Sequence, residues 1–385
     1  MSEYQYYEFQ AVDRPLTAEE MSKLRMYSSR ADITSRSFVN VYNWGDFKGN
    51  PLEWVEKHFD GFYYNSNFGR SELMLRVPGA LFPKDEVYEY CGVESFAYLV
   101  KGEYGIFCYA YDGDDYEFEW EDRGRLTALL PIRLELMQGD YRALYLGWLN
   151  AVVHGEIPEH EPEPPVPPNL GHLSAAQEEL VAFLRLDRDL LVAAAEGSPP
   201  EEHYDPAEQV VRAWIADLPE PEKDAMIYEV IVGNGSLLAC KLQKRLREEN
   251  TPMHVSSDER RNAGELKARA KELRRARLAE AARIAAEKQA EEKRKRAQER
   301  ADYINSLVGQ ESTLWEKIDT LICRKNAAGY DAAVHLLLDL YELAKWQQHE
   351  AAFLTRLKAL CQTHTKKPAL MRRMEEAGLL RLIRN

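Results

Sequence analysis

The sequence predicts an α+β N-terminal domain followed by an all-α half that carries one long charged helix, coiled-coil-like in composition, and ends in a helical bundle. Three observations predict it. Up to about residue 155, alternating aromatic strand patterns are interspersed with capped helices. An acidic, proline-rich stretch, EIPEHEPEPPVPP at 156–168, then interrupts the pattern. Beyond it nearly every segment has helical period, including a run from Ser256 to about Asn305 with no proline and a single glycine, Gly264. The expected organisation is an acidic α+β domain at 1–155, a linker at 156–170, a helical segment at 171–255, the long helix at 256–308 and a C-terminal bundle at 309–385.

Residues 4–11 alternate, as a half-buried strand does. Thr17 and Glu20 form a capping box ahead of Met21 and Leu24. Residues 37–44 read as a strand. Asn50, Pro51 and Glu53 then supply an N-cap, a pre-set first turn and an acid for the start of a helix carrying Trp54, Val55 and Phe59. Residues 73–77 and 95–111 read as strands, the second folded at Lys101-Gly102-Glu103, and 126–155 returns to helix. Hairpins without a strand–helix–strand rhythm argue against a parallel sheet.

Proline-rich acidic sequence favours an extended, solvated backbone, so 156–168 is expected to space domains without packing. Helices follow at 173–195, 206–218, 220–232 and 236–250, and after the long helix at 314–325, 330–347, 350–363 and 368–383. Val334, Leu337, Leu338 and Tyr341 make one apolar face; Phe353, Leu357, Leu360 and Cys361 make another. For the long helix Ser256 or Ser257 is the expected N-cap. Glu265/Arg269, Glu291/Lys295 and Glu292/Arg296 place the acid four residues ahead of the base. Leu266, Ala270, Leu273 and Ile284 fit one heptad seam, but Arg277, Glu280, Glu287 and Glu291 interrupt it. A mostly solvated helix is therefore expected in preference to a dimeric coiled coil.

The net charge of −14 is unevenly placed. Residues 1–170 hold fifteen Lys and Arg against twenty-nine Asp and Glu, while 260–300 carries fifteen bases and seven glutamates. An acidic domain and a basic rod on one chain can face each other or serve an acidic partner. The five cysteines (Cys91, Cys108, Cys240, Cys323 and Cys361) show no CxxC spacing and read as reduced thiols. The opening MSEYQYYEFQ is polar and acidic, and no apolar run approaches the roughly 18 residues of a membrane span. A cytoplasmic protein without membrane contact is expected.

Several strings resemble a family of uncharacterised bacterial proteins: YEFQAVDRPLT, VYNWGDFKGNP, ALYLGWLNAVVHG before PEPPVPP, and YDAAVHLLLDLYELA with the ending KKPALMRRMEEAGL. They cover both ends of the chain and contain no chemical motif. The resemblance implies a bacterial cytoplasmic protein and carries over no catalytic residue.

Asp112-Gly113-Asp114-Asp115 with Glu117, Glu119, Glu121 and Asp122 is the densest acidic cluster and has the oxygen ligands a divalent cation wants. Tyr116, Phe118 and Trp120 alternate with those acids, which favours a solvated hairpin. The loop 232–236 lacks a Walker lysine and reads as a helix–turn–helix link closed by Gly233. His154, Glu156 and His160 lie in or beside the linker, and 201–205 reads as an acidic loop. Lys271, Arg274, Arg275, Arg277, Lys293, Arg294, Lys295 and Arg296 form a patch suited to an anionic partner. No aromatic side chain interleaves with them before Tyr303, which weakens base stacking. The expectation is a non-enzymatic interaction or scaffold protein with a protein partner and no cofactor. The alternatives are a nucleic-acid-associated protein using the basic helix and a metal-dependent hydrolase using the acidic hairpin at 112–122.

Overall fold

A computed structural model describes residues 4–113, 123–199, 208–233, 235–250 and 260–383. The chain divides into two compact units, Met1–Arg277 and Leu278–Asn385. The first begins with β1 (Gln5–Gln10), α1 (Ala18–Arg25), β2 (Asp32–Ile33), β3 (Ser37–Tyr42), α2 (Pro51–Lys57), β4 (Gly61–Ser66) and β5 (Arg70–Pro78). It continues with α3 (Lys84–Val87), β6 (Phe96–Lys101) and β7 (Tyr104–Asp112). Every strand pair is antiparallel, in the order β2-β3-β1-β4-β5-β7-β6.

The local chemistry of the sequence sets the early elements. Thr17 and Glu20 close the capping box of α1, and the Asn50 side chain accepts from the Glu53 N–H ahead of Pro51. Lys101 pairs with Tyr104 around the β6–β7 turn. Beside the short β2 and α3, strand β4 is the element the sequence does not announce. All six of its residues are buried, because it sits inside the sheet with both faces covered, and such a strand loses the alternation that marks a half-exposed one.

One face of the sheet places Phe9, Phe38 and Phe62 against Trp54, Val55 and Phe59 beneath α1 and α2. The other packs Tyr63, Leu73, Leu75, Phe96 and Phe107 beneath five helices. These are α4 (Arg125–Leu129), α5 (Pro131–Met137), α6 (Arg142–Val153), α7 (Ala175–Phe183) and α8 (Arg188–Ala195). The expected helix at 126–155 is thus three, divided at Pro131, which cannot donate to the preceding turn, and at Gly139 with φ +86°. Gly147 lets α6 lie directly on β6: a Cβ there would meet the Phe96 ring at 2.6 Å.

Where the sheet meets its loops, Asp60 is fully buried. It accepts from the N–H groups of Val12 and Asp13 at 2.6 and 2.9 Å and pairs with Arg76 at 2.7 Å and Arg133 at 3.7 Å. Burial pushes the Asp60 pKa up, but the two guanidinium charges outweigh it and hold the carboxyl below its usual range.

The proline-rich stretch corrects the spacer expectation. Glu163, Pro164 and Pro167 are buried in the first unit. The Tyr90 hydroxyl donates to the Pro165 carbonyl at 2.7 Å, and the Ser198 hydroxyl to that of Pro167 at 2.6 Å. Proline rings are apolar, and their carbonyls still accept; given donors on two sides, the segment packs instead of solvating.

Helices α9 (Glu208–Asp217), α10 (Glu220–Ile231) and α11 (Gly235–Asn250) follow, then the long helix α12 (Ala263–Ser306). The second unit joins the end of α12 to α13 (Glu311–Cys323), α14 (Ala327–Trp346), α15 (Glu350–Thr363) and α16 (Pro368–Glu376). Its core includes Ile304, Ile318, Ile322, Leu337, Leu340, Leu357, Leu370 and Met374, and both apolar faces expected of α14 and α15 turn into it. The fold is α+β with an all-helical second half. Among the described residues no helix is long and apolar enough to cross a membrane.

Candidate functional site

The charged helix is the sequence's candidate site, and its start is built by distant residues. Ser256 and Ser257 lie outside the described residues; the cap of α12 is Asn262. Its side chain accepts from the Glu265 N–H at 2.8 Å, and Glu265 accepts from the Asn262 N–H at 2.9 Å. Glu265 is therefore engaged at the cap, and Arg269 pairs not with it but with Glu196 and Glu272. The acidic segment runs beside this start. Glu163 N–H donates to the Arg261 carbonyl at 2.7 Å, Ala263 N–H to Glu161 at 3.1 Å, and Gly264 N–H to Glu159 at 2.9 Å.

Arg261 locks the arrangement. Its guanidinium holds both oxygens of Glu163 at 2.8 and 2.9 Å and also donates to the carbonyls of Ala193 and Ala194 at the end of α8. Glu163, 2% exposed, also accepts from the buried Tyr145 hydroxyl. Burial, reinforced by the Glu163 charge, pushes the Tyr145 pKa far up, which keeps the phenol a donor. Leu266 and Ala270 are buried in the first unit's core, and Leu273 packs against it. Three of the four apolar residues of the expected heptad seam thus form an intramolecular docking face, while the fourth, Ile284, is 54% exposed.

Further along, the helix is held by charge. Arg260 pairs with Glu89 at 2.7 Å and Arg269 with Glu196 at 2.8 Å. Asp189 receives Arg277 at 2.8 Å and Arg274 at 3.4 Å, and Arg274 also reaches Asp187. Hydrogen bonding from Arg277 is the largest influence on Asp189; with Arg274 it outweighs partial burial and lowers the carboxyl's pKa. Glu196 is lowered in the same way, first by Arg269.

Beyond this base the side chains change role. Every residue from 274 to 303 is exposed. Arg283 pairs with Glu280 and Glu287 along the helix, whereas the expected Glu291–Lys295 and Glu292–Arg296 pairs do not close. Such exposed pairs gain only tenths of a kcal/mol, roughly what holding two long side chains costs. In the second unit Arg300 pairs with Asp339 and Glu342, both at 2.6 Å, and the Tyr303 hydroxyl donates to Asp339.

The eight patch residues therefore separate. Arg274 and Arg277 belong to the carboxylates of α8, while Lys271, Arg275 and Lys293 through Arg296 are exposed and make no ion pair with any described residue. No spacing in the sequence joins Arg261 to Glu163 or Arg277 to Asp189, so those pairings surface only in the fold. Of the acidic hairpin, Asp112 ends β7 opposite Arg70, and 114–122 lies outside the described residues. So does 201–205. Among the described residues no group of three His, Cys, Asp or Glu side chains is placed to hold a metal ion. His154 lies edge-on to Tyr111, and Gly233 closes α10 with φ +97°. No protein-family model, curated protein or solved structure matches the chain.

Proposed function

We propose that the protein is a non-enzymatic interaction protein of the bacterial cytoplasm that presents the exposed basic stretch of α12 to an acidic protein partner. The observation that carries this reading is the division of the basic residues. Arg261, Arg269, Arg274 and Arg277 are neutralised by the first unit's own carboxylates, while Lys271, Arg275 and Lys293 through Arg296 stay exposed and unpaired among the described residues. A protein partner is favoured over nucleic acid on two grounds. Glu287, Glu291 and Glu292 adjoin the basic cluster, and no aromatic side chain interleaves with it before Tyr303 to stack on a base. Five unpaired cysteines suit a reducing compartment.

The test is a fourfold reversal, Lys293→Glu, Arg294→Glu, Lys295→Glu and Arg296→Glu, in the full chain. Chemical crosslinking from the exposed helix is expected to capture one acidic protein reproducibly with wild type and to lose it with the reversal. Labelled RNA and DNA should not bind at about 0.15 M salt. Oligonucleotide binding at that salt, abolished by the reversal, would replace the reading with a nucleic-acid one.

A further inference from the structure

Helices α9 and α10 bury no residue at all. They are held through α11, which is rooted in the first unit by buried Cys240 and Leu246 and by Lys244, whose Nζ donates to the Leu81 carbonyl at 3.0 Å. Trp214 of α9 donates to Glu249 at 2.5 Å, and Glu222 of α10 pairs with Arg245. The outer side of α10 is nevertheless strongly apolar. Ile227, Tyr228, Val230, Ile231 and Val232 are all exposed, Ile231 by 76% and Tyr228 by 63%. Clustered exposed apolar side chains mark a contact surface.

Helical spacing orders the surface. Glu220, Asp224, Ile227 and Ile231 fall on one line along α10, so the ridge is acidic over its first turns and apolar over its last. Asp217 at the end of α9 and Asp224 make no ion pair among the described residues, and Glu220 meets Lys223 at 3.3 Å with its own side chain 83% exposed. The first unit carries thirty-one bases against forty-nine acids, net −18, and a second copy would bring another such unit against this one. A cationic partner gains from the same field.

We infer that the α10 ridge is a docking surface for a basic amphipathic helix of a partner protein, with apolar side chains against Ile227 and Ile231 and Lys or Arg one to two turns away against Asp224 and Glu220. This surface is distinct from the basic stretch of α12 and selects the opposite charge.

The experiment uses the full-length protein and three labelled synthetic peptides. One is a Leu/Ala/Lys helix with an apolar stripe and a basic end; the second has the same composition scrambled; the third carries Glu in place of Lys. Fluorescence anisotropy should show the first binding at least tenfold tighter than either control. Ile231→Asp adds negative charge, so attraction by net charge alone would be kept or strengthened; docking on the ridge requires at least a tenfold loss. Ile231→Ala should give an intermediate loss with an unchanged thermal melt, since the residue supports no core. Unchanged or tighter binding by Ile231→Asp overturns the inference. So does sedimentation showing a wild-type dimer that Ile231→Asp dissociates, which assigns the ridge to a second copy. Reversing Lys293 through Arg296 should leave this binding intact, so either surface can fail without the other.

Discussion

Leu266 and Leu278 stand on the same helix, twelve residues apart, the first fully buried and the second 56% exposed. Between Arg261 and Arg277 four arginines meet carboxylates from the proline-rich segment and from α8 and its ends; from Leu278 to Glu299 every side chain is exposed, and among the described residues only Arg283 makes ion pairs, along the helix itself. Composition barely differs between the two stretches. What differs is the surroundings: Glu196, Asp189 and Glu163 lie 73, 88 and 98 residues from the arginines they hold and 2.8 Å away in space. An arginine-rich helix is thus a dock over one stretch and a presented surface over the next.

The largest effect should come from the apolar part of the dock. Leu266→Ala should destabilise the first unit by about 2–5 kcal/mol in urea unfolding, since the side chain is fully buried in the first unit's core. A loss below about 1 kcal/mol would mean that the helix base is not part of that core. Glu163→Gln comes next, at about 2–3 kcal/mol, because Arg261 and the Tyr145 hydroxyl lose a charged partner in a mostly buried place. The double variant with Arg261→Met should recover part of that loss, which a merely steric effect would not.

Acid should loosen the same base. Asp189 and Glu196 have pKa values lowered by Arg277 and Arg269. Their contribution is fully present above the unfolded carboxyl pKa of about 4 and is lost as pH falls through the lowered folded values. Thermal melts from about pH 5 downward should therefore shift to lower temperature, with a shallower slope in Asp189→Asn.

Much of this fold was legible in the sequence, and the reasons it stopped are local. Thr17 with Glu20, and Asn50 with Pro51 and Glu53, carry their own helix starts, and the hairpin at Lys101-Gly102-Glu103 carries its own turn. Strand β4 was silent because burial on both faces removed its period. Asn262 with Glu265 is also a readable cap, but the serines upstream offered a competing one. The proline-rich segment misled because composition describes how a chain behaves in water, and Tyr90, Ser198 and Arg261 keep it out of water. For the candidate patch, residue type was readable. Which of its arginines were already engaged was not, because every carboxylate that engages them comes from another element.

Salt gives a smaller, separable effect. The pairs of Arg269, Arg274 and Arg277 are at least partly exposed, so about 1 M salt, with a Debye length near 3 Å, should weaken them and leave the Glu163–Arg261 contact largely intact. Charge-removing variants at Arg269 and Arg277 should then lower the melting temperature at low salt and not at high salt. Smallest of all, Leu278→Ala with Ile284→Ala should change stability by no more than about 0.5 kcal/mol and leave the solution mass unaltered. A fall in mass would show that the exposed stretch is a seam between chains.

Hydrogen exchange followed by mass spectrometry on the full-length protein tests the division of α12 most directly. Peptides covering 263–273 should exchange only with global unfolding of the first unit, while peptides within 278–299 should exchange orders of magnitude sooner through local opening of a solvated helix. Equal protection along the whole helix would contradict the account.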